Sequence, residues 1–187
     1  MIDKIRIGNY KSIVDLTLDL GRFNVIIGTN GCGKSNILEA ITMGALGVSD
    51  NADIGRLATY GIRVTEPELM VNAFEDTDDN MDQYIRLEVS GDNKQANTNI
   101  ALTYEEKWNK WGNIKPDEYS TIGASKKNDK QVILTTHNPY VLDGLDLSDD
   151  EQRLFVCRRD IDGHTRIERI KYREDRKMSL SELCNLQ

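Results

Sequence analysis

The start of the chain alternates between apolar and polar residues. Every second position is apolar over residues 5–7 and again over residues 14–20, which is the spacing of strands with one buried face. Turn-forming residues at 9–12 separate the two segments, so together they predict a β-hairpin. Residues 23–27 (FNVII) form a short apolar run between two glycines, which is typical of a strand buried on both faces of a parallel sheet.

The periodicity then changes to that of a helix. Residues 28–33 are rich in glycine, and the apolar residues over 37–45 are spaced to share one face of a helix from residue 34 to residue 46. A strand, a tight loop and a helix in succession open an α/β unit.

The middle of the chain returns to a β-like pattern. Residues 64–75, 84–89 and 99–104 predict strands that are separated by an acidic turn and by the turn sequence SGDNK. This pattern predicts an antiparallel meander, which would make residues 60–105 a β-subdomain. Residues 105–130 are polar and predict no regular element.

Strand signals resume near the C-terminus. Residues 131–135 (QVILT) predict a second buried strand, which runs into Thr-His-Asn-Pro and a short helical segment. Residues 153–157 and 165–170 predict a hairpin across the turn signal Asp-Gly at 162–163. Ser-x-x-Glu at 179–182 is a weak capping box for a last helical turn.

The loop after the third strand carries the clearest chemistry. Residues 28–35 match the P-loop pattern GxxxxGK[ST] at every fixed position. Glycines permit the positive-φ turns that aim backbone N–H groups at a polyphosphate, and the N-terminus of the helix adds partial positive charge. In this pattern Lys34 reaches the β and γ phosphates and Ser35 binds Mg²⁺. The glycines of the cradle are Gly28, Gly31 and Gly33.

A histidine follows the second buried strand directly. His137 precedes a proline that ends the strand, so we expect it at the C-terminal edge of the sheet, where α/β folds bind their ligands. A generic histidine is more often structural, but this position favours sensing of the γ-phosphate or orientation of the attacking water.

The cysteines are Cys32, Cys157 and Cys184, without CxxC or CxxH spacing, so neither a disulfide framework nor a zinc site is predicted. Cys32 occupies a variable position of the loop, where a small side chain suffices. A thiol at a helix N-terminus can have a lowered pKa, so redox gating is an open alternative.

Composition excludes several classes of protein. The chain has 187 residues and a net charge of −7, from 24 basic and 31 acidic side chains, which argues against an electrostatic grip of the whole protein on nucleic acid. Residues 158–177 are locally basic, and are the best candidate for a DNA contact. The sequence shows neither a membrane span, which needs about 20 apolar residues, nor a signal peptide. These features predict a cytoplasmic protein without a membrane partner.

Three segments together resemble a known family: residues 5–13 (IRIGNYKSI), 23–41 (FNVIIGTNGCGKSNILEAI) and 133–145 (ILTTHNPYVLDGL). They are similar to the head domain of the ABC-type ATPases of the SMC, RecF and OLD-nuclease group, a kind of AAA family ATPase. The similarity covers roughly residues 1–48 and 128–172.

The resemblance implies roles for particular residues. It implies that His137 is the switch histidine and that Asn9, Tyr10, Lys11 and Ser12 lie near the adenine or ribose of ATP. It also implies ATP-driven dimerisation of two heads and roles in DNA repair, chromosome maintenance or defence against phage. DNA and an effector protein such as a nuclease are the further partners that it suggests. The residues that would hold the phosphates and Mg²⁺ are Asn30, Gly31, Cys32, Gly33, Lys34, Ser35 and Asn36.

The chain departs from this family in its catalytic carboxylates. Hydrolysis there needs a Walker B strand, an apolar run that ends in Asp-Glu. The Asp-Glu pairs at 117–118 and 150–151 do not follow an apolar run, and residues 69–75 are apolar enough but precede the meander. Residues 147–152 (LSDDEQ) echo the family's signature motif, but aspartates replace the glycines that would meet phosphate.

The missing motifs would have to lie within residues 105–130. That interval is too short, because a strand, its crossover helix and a signature helix need well over the roughly 30 residues of a minimal βαβ unit. Either the protein is a reduced head that does not hydrolyse ATP, or an internal segment of a longer protein is missing there. The abrupt change of composition before residue 131 favours the second interpretation.

The predicted fold class is α/β, with a P-loop NTPase core built on a mainly parallel sheet, an N-terminal hairpin and an antiparallel β-subdomain, all within one ATPase head domain over residues 1–187. The predicted function is an ATPase head that couples binding and hydrolysis of Mg-ATP to dimerisation or partner control, with Lys34 and His137 as catalytic residues. The alternative is a nucleotide-binding regulatory or scaffold subunit without hydrolysis. A small-molecule kinase, the third possibility, is disfavoured by the Thr-His-Asn-Pro strand end.

Overall fold

A computed structural model of the chain describes residues 1–47, 57–65, 69–72, 83–91, 94–102, 114–117, 131–174 and 179–185. The strands are β1 (Lys4–Tyr10), β2 (Ile13–Asp19), β3 (Phe23–Ile27), β4 (Gln83–Gly91), β5 (Lys94–Leu102), β6 (Ile114–Asp117), β7 (Val132–Thr136), β8 (Gln152–Arg159) and β9 (Thr165–Ile170). Among the described residues, the α-helices are α1 (Lys34–Gly47) and α2 (Leu180–Asn185), and 3-10 helices span Ala58–Tyr60 and Pro139–Gly144. No described helix is long and apolar enough to cross a membrane.

The first sheet is antiparallel and has the strand order β2-β1-β4-β5-β6. The predicted hairpin of β1 and β2 forms one end of it, with Ile5 opposite Leu18 on one side and Val89 on the other. The hairpin turn is tight, and Asn9 and Lys11 both have positive φ, at 54° and 48°. The hairpin and the meander are therefore joined in a single sheet.

The second sheet has the order β7-β3-β8-β9 and is mainly parallel. Strand β3 runs parallel to both neighbours, so that Ile27, its last residue, pairs with Thr136 of β7 and Val156 of β8. Strand β9 returns antiparallel to β8. The C-terminal ends of β3, β7 and β8 therefore lie at one edge, where the α/β fold class predicts the ligand.

Helix α1 packs between the two sheets. Ile37 and Ile41 of α1 belong to the same buried cluster as strand residues from both sheets, such as Ile5 and Phe155. The helix approaches β4 so closely that a Cβ on Gly44 would lie 2.7 Å from a methyl group of Val89. This packing holds the C-terminal half of α1 against the antiparallel sheet, while its N-terminus follows the loop that leaves β3.

The opposite face of β3 packs into a second apolar cluster. Val25 and Ile27 are buried there with Leu142 and Leu154, and Leu180 of α2 packs against them. The burial of β3 on both faces confirms the interpretation of its apolar run. Helix α2 begins with the predicted capping box, since Ser179 and Glu182 bond each other's backbone N–H through their side chains, at 2.9 and 3.2 Å.

One predicted strand is wrong over the described residues. The sequence pattern predicts that residues 64–75 open the meander, but residues 61–65 and 69–72 contain no strand. Met70 and Val71 are buried in the main cluster, so the apolar residues there reflect burial of a connecting segment. Residues 73–75 and most of the interval 105–130 lie outside the described residues, and the short strand β6 within that interval was not predicted.

Candidate nucleotide-binding site

The glycine-rich loop connects β3 to α1 at the C-terminal edge of the parallel sheet. Gly31 and Gly33 have positive φ, at 77° and 108°, a conformation that glycine adopts at little cost. Gly28 has no room for a side chain, because a Cβ there would lie 2.2 Å from the carbonyl oxygen of Cys157. The three glycines of the predicted cradle are thus each favoured by backbone geometry or required by close packing.

The lysine of the loop lies across it. Lys34 Nζ donates hydrogen bonds of 2.7 Å to the carbonyl oxygens of Gly28 and Thr29, and it lies 3.8 Å from the Cys32 sulfur. Ser35 is exposed beside it in the first turn of α1. The first N–H groups of a helix have no partner within the helix, so this turn presents donors and a cation together, as anion binding requires.

Two carbonyl groups of the loop, those of Gly31 and Cys32, accept hydrogen bonds from residues of β8 and β9. Thr165 Oγ1 and Cys157 Sγ both donate to the Cys32 carbonyl oxygen, at 3.1 and 3.4 Å. Arg159 Nε donates to the Gly31 carbonyl oxygen at 2.9 Å. Carbonyl oxygens repel phosphate, so turning these two towards β8 and β9 removes them from the open side of the loop, whereas the Gly28 and Thr29 carbonyls accept from Lys34.

The two buried cysteines of this region are neighbours: Cys157 Sγ donates to the Cys32 carbonyl oxygen, and each thiol also affects the ionisation of the other. Hydrogen bonding to Cys157, assisted by the nearby Lys34 ammonium, lowers the pKa of Cys32 to about 6. The same hydrogen bond, together with burial, raises the pKa of Cys157. Cys32 therefore loses its proton at a lower pH than Cys157 does. Redox gating by Cys32 stays a prediction.

The residues of the hairpin turn face helix α1. Tyr10 Oη and Lys11 Nζ donate to the same carboxylate oxygen of Glu39, at 2.9 and 2.6 Å. Ser12 lies beneath the loop, where its hydroxyl accepts from Asn36 Nδ2 at 2.7 Å. These contacts connect the turn to the phosphate loop, and contact of the turn with adenine or ribose stays a prediction.

Glu39 is a buried carboxylate with three donor side chains around it. Besides Tyr10 and Lys11 it accepts from Arg63 Nε at 2.5 Å, and its side chain is only 6% exposed. Burial opposes ionisation, but the hydrogen bonds from Arg63, Lys11 and Tyr10 outweigh it and lower the pKa of Glu39. Burial and the Glu39 charge raise the pKa of Tyr10. Arg63 also donates to Asn36 Oδ1 at 3.0 Å.

The predicted switch histidine lies at the expected edge. His137 is exposed and follows β7, whose last residue, Thr136, pairs with Ile27, the residue before Gly28. His137 and the loop therefore leave neighbouring parallel strands at the same level. Asn138, next in sequence, caps the following 3-10 helix by accepting from the Tyr140 amide at 3.1 Å.

The Asp-Glu pair at 150–151 lies at the other end of the sheet. The Glu151 carbonyl accepts from the amide of Phe23, the first residue of β3, at 2.9 Å, whereas the loop follows the last residue of that strand. Asp150 is exposed and pairs with Arg153 and Arg169. This pair cannot serve the loop. Of the other candidates, Asp117 belongs to β6 in the antiparallel sheet, and Glu118 lies outside the described residues.

Several arginines of the basic segment 158–177 bond the loop or nearby carboxylates. Arg159 bonds the loop, Arg166 pairs with Asp160 at 2.7 Å, and Arg169 pairs with Asp150. Residues 175–178 lie outside the described residues, so a DNA contact there stays a prediction.

Sequence reasoning missed four residues that build the site: Glu39, Arg63, Arg159 and Thr165. The only available signal was a charged residue, Glu39, within the buried stretch of α1. The other three reach the site through contacts between distant parts of the chain, as in the 133-residue separation between Thr165 and Cys32.

The donor set of the loop fits a magnesium-bound polyphosphate. A Cβ added to Gly31 would meet no atom within 4 Å, so the tip of the loop is open to a ligand. Lys34 supplies the cation, and the exposed Ser35 hydroxyl is a hard oxygen ligand of the kind that Mg²⁺ takes.

The chain is similar to a protein family and to several solved structures. A family model described as an AAA domain matches residues 4–183, and no curated protein matches the chain. Similar solved structures include the recombination mediator protein RecF-ATP in the RecFOR pathway, at 21% identity and TM-score 0.35, over 54% of this chain and 24% of that chain. The SMC head domain from Thermotoga maritima matches at 20% identity and TM-score 0.33, over 54% of this chain and 32% of that chain.

The chain thus spans about a quarter of the length of the first of these solved proteins and about a third of the second. The family match covers both sheets, the phosphate loop and the strand that leads to His137. It confirms the resemblance to AAA family ATPases that the motifs suggested. The chain belongs to the AAA domain family.

Proposed function

We propose that this chain is an ATPase head that binds Mg-ATP on the loop of residues 28–36 and couples binding and hydrolysis to dimerisation or partner control. One observation carries the proposal: β8 and β9 hold the loop carbonyls of Gly31 and Cys32 from behind, while Lys34 and the first turn of α1 face the open side. This is the arrangement that a triphosphate needs.

Each loop residue then has a distinct task. Lys34 exchanges its bonds to Gly28 and Thr29 for the β and γ phosphates, and Asn30 flanks the phosphate chain. The Asn36 side chain bonds Ser12 and Arg63, so this residue offers the phosphates its backbone N–H in the first turn of α1. Ser35 would hold Mg²⁺, which would supply neutralisation of phosphate charge at this site. His137 orients the attacking water or senses the γ-phosphate. Acceleration would come from positioning and charge stabilisation rather than from covalent chemistry.

The wider role follows from the sequence resemblance. Motifs shared with ABC-type heads support action in DNA repair or antiphage defence in the cytoplasm, with a second copy, DNA or an effector protein as partner. Dimerisation can be tested by light scattering with and without ATP. A molar mass that ATP leaves unchanged would contradict this part of the proposal.

The alternative is a nucleotide-binding regulatory subunit without hydrolysis. A specific observation favours keeping it: the Asp150-Glu151 pair lies at the end of the sheet opposite the loop. A carboxylate that polarises water must come within hydrogen-bond reach of it. Under this alternative ATP would stabilise the fold by ligand linkage and would release no phosphate.

Phosphate release separates the two functions. We expect wild-type protein to release phosphate from Mg-ATP and Lys34→Ala to lose this activity. Lys4→Ala is the matched control, because Lys4 is exposed on β1 and pairs only loosely with Asp19, at 3.8 Å. ATP binding without phosphate release by the wild type would favour the regulatory subunit, and equal release by wild type and Lys34→Ala would contradict the ATPase assignment.

A further inference from the structure

We propose that Thr165 is a positioning residue for nucleotide binding, acting with Ser12 to fix the peptide unit between Cys32 and Gly33. This inference rests on the proposed binding of ATP by the loop. Thr165 opens β9 and is only 2% exposed. It lies directly beneath the loop, since a Cβ on Gly33 would come within 2.1 Å of its hydroxyl oxygen.

The Thr165 hydroxyl sets the direction of one loop amide. It donates to the Cys32 carbonyl oxygen at 3.1 Å and so draws that oxygen towards β9. A trans peptide unit is planar, and its C=O and N–H point in opposite directions. The Gly33 N–H, which shares this peptide unit, is therefore turned away from β9 and towards the open side of the loop.

The hydroxyl belongs to a hydrogen-bonded chain whose direction can be assigned. Arg63 donates to Asn36 Oδ1 at 3.0 Å, so the amide nitrogen of Asn36 faces Ser12 and donates to its hydroxyl at 2.7 Å. Each hydroxyl carries one proton. Since Thr165 uses its proton on Cys32, the 2.7 Å bond between the two hydroxyls must run from Ser12 to Thr165.

Every donor in this chain therefore points towards the Cys32 carbonyl. Hydrogen bonds in such a chain polarise one another and gain strength. The Thr165 amide also donates to the Ser12 carbonyl oxygen at 2.8 Å, so backbone and side chains together join β9 to the hairpin turn. Ser12 is 5% exposed, and burial leaves little access for a water that would replace a lost hydroxyl.

The contacts predict which property of Thr165 matters. Valine keeps the shape and the methyl group but removes the donor. The Cys32 carbonyl then keeps only the weaker bond from the Cys157 thiol, and the Gly33 amide is held less firmly. Serine keeps the donor. We therefore expect the hydroxyl, and not the volume of residue 165, to govern affinity for ATP.

The test measures the dissociation constant of Mg-ATP by calorimetry for Thr165→Val, Thr165→Ser and Thr17→Val. Thr17 is an exposed threonine on β2 and serves as the matched control. We expect Thr165→Val to weaken binding about tenfold, Thr165→Ser to stay within about threefold of wild type, and Thr17→Val to match it. Circular dichroism verifies that each variant is folded at the temperature of the titration.

A second variant covers the case in which Thr165→Val does not fold. Ser12→Ala removes the donor to Thr165 but keeps the Thr165 side chain, and we expect it to weaken ATP binding by a smaller factor. Wild-type affinity in Thr165→Val, or in Ser12→Ala if only that variant folds, would overturn the inference. Equal losses in Thr165→Ser and Thr165→Val would also overturn it. A wild-type protein that does not bind ATP would overturn the proposed function and this inference with it.

Discussion

The buried carboxylate of Glu39 provides a quantitative test of how the hairpin turn is held to α1. One carboxylate oxygen accepts from Tyr10 and Lys11, and the other accepts from the side chain and the backbone amide of Arg63. All four acceptor positions of the carboxylate are thus in use. Glu39→Gln replaces one oxygen with an NH₂ group, which faces donors whichever way the amide turns.

The free-energy cost of Glu39→Gln follows from how exposed the two cations around Glu39 are. The Arg63 side chain is 61% exposed and can turn to water, whereas the Lys11 side chain is 13% exposed and stays near the neutral amide. Removing one partner of a buried ion pair costs about 3–5 kcal/mol. Lys11 keeps a bond to the Arg63 carbonyl oxygen at 3.1 Å, so we expect a loss near the lower bound, about 3 kcal/mol.

Urea unfolding at neutral pH, followed by circular dichroism, measures this loss. Glu88→Gln is the control, because Glu88 is 41% exposed in its side chain and lies 3.8 Å from Arg6, and exposed pairs contribute about 0–1 kcal/mol. Adding Lys11→Met to Glu39→Gln removes the uncompensated ammonium and should recover part of the stability.

The pH dependence has a definite sign. Because the pKa of Glu39 is lowered in the folded protein, its contribution is present above the pKa of the unfolded chain and is lost as pH falls through the folded value. The advantage of wild type over Glu39→Gln should therefore shrink below about pH 4. A loss at neutral pH no larger than that of Glu88→Gln would refute the reasoning.

Two further predictions concern the loop and its backing. Gly28→Ala places a Cβ 2.2 Å from the Cys157 carbonyl oxygen, so it should lower the free energy of unfolding in urea by roughly 3 kcal/mol or more. Gly31→Ala has open space around it and should lower that free energy by only about 1–2 kcal/mol, because of its positive φ. Equal losses in the two variants would contradict this packing. Cys157→Ala should raise the pKa of Cys32 from about 6, which the thiolate absorbance near 240 nm reports during a pH titration; an unchanged pKa would show that Lys34 alone sets it.

The predicted elements succeeded where local periodicity decides structure. The alternation in the hairpin, the apolar run of β3 and the P-loop pattern each determine an element over a few residues, and the structure confirms them. The strand predicted over residues 64–75 is wrong at the described residues of that range, because buried side chains such as Met70 give a connecting segment the apolar pattern of a strand. Apolar spacing records burial, and burial alone does not specify backbone conformation.

The sequence predicts the loop residues that would contact the ligand, but it does not predict the residues that support the loop. Glycines, Lys34 and Ser35 carry the loop pattern within eight residues, but its support comes from Arg159 and Thr165, more than 120 residues away in sequence. Their roles depend on strand order, which places β8 beside β3 and β9 beside β8. A single sequence does not contain that order in any local pattern.

The measurement that tests the central claim most directly is a calorimetric titration of wild-type protein and Lys34→Ala with Mg-ATP, with AMP as a ligand that lacks the β and γ phosphates. The account predicts saturable binding of ATP by the wild type, binding at least about tenfold weaker in Lys34→Ala, and little affinity for AMP in either. Equal affinity of wild type and Lys34→Ala for ATP, or no binding by the wild type, would contradict it.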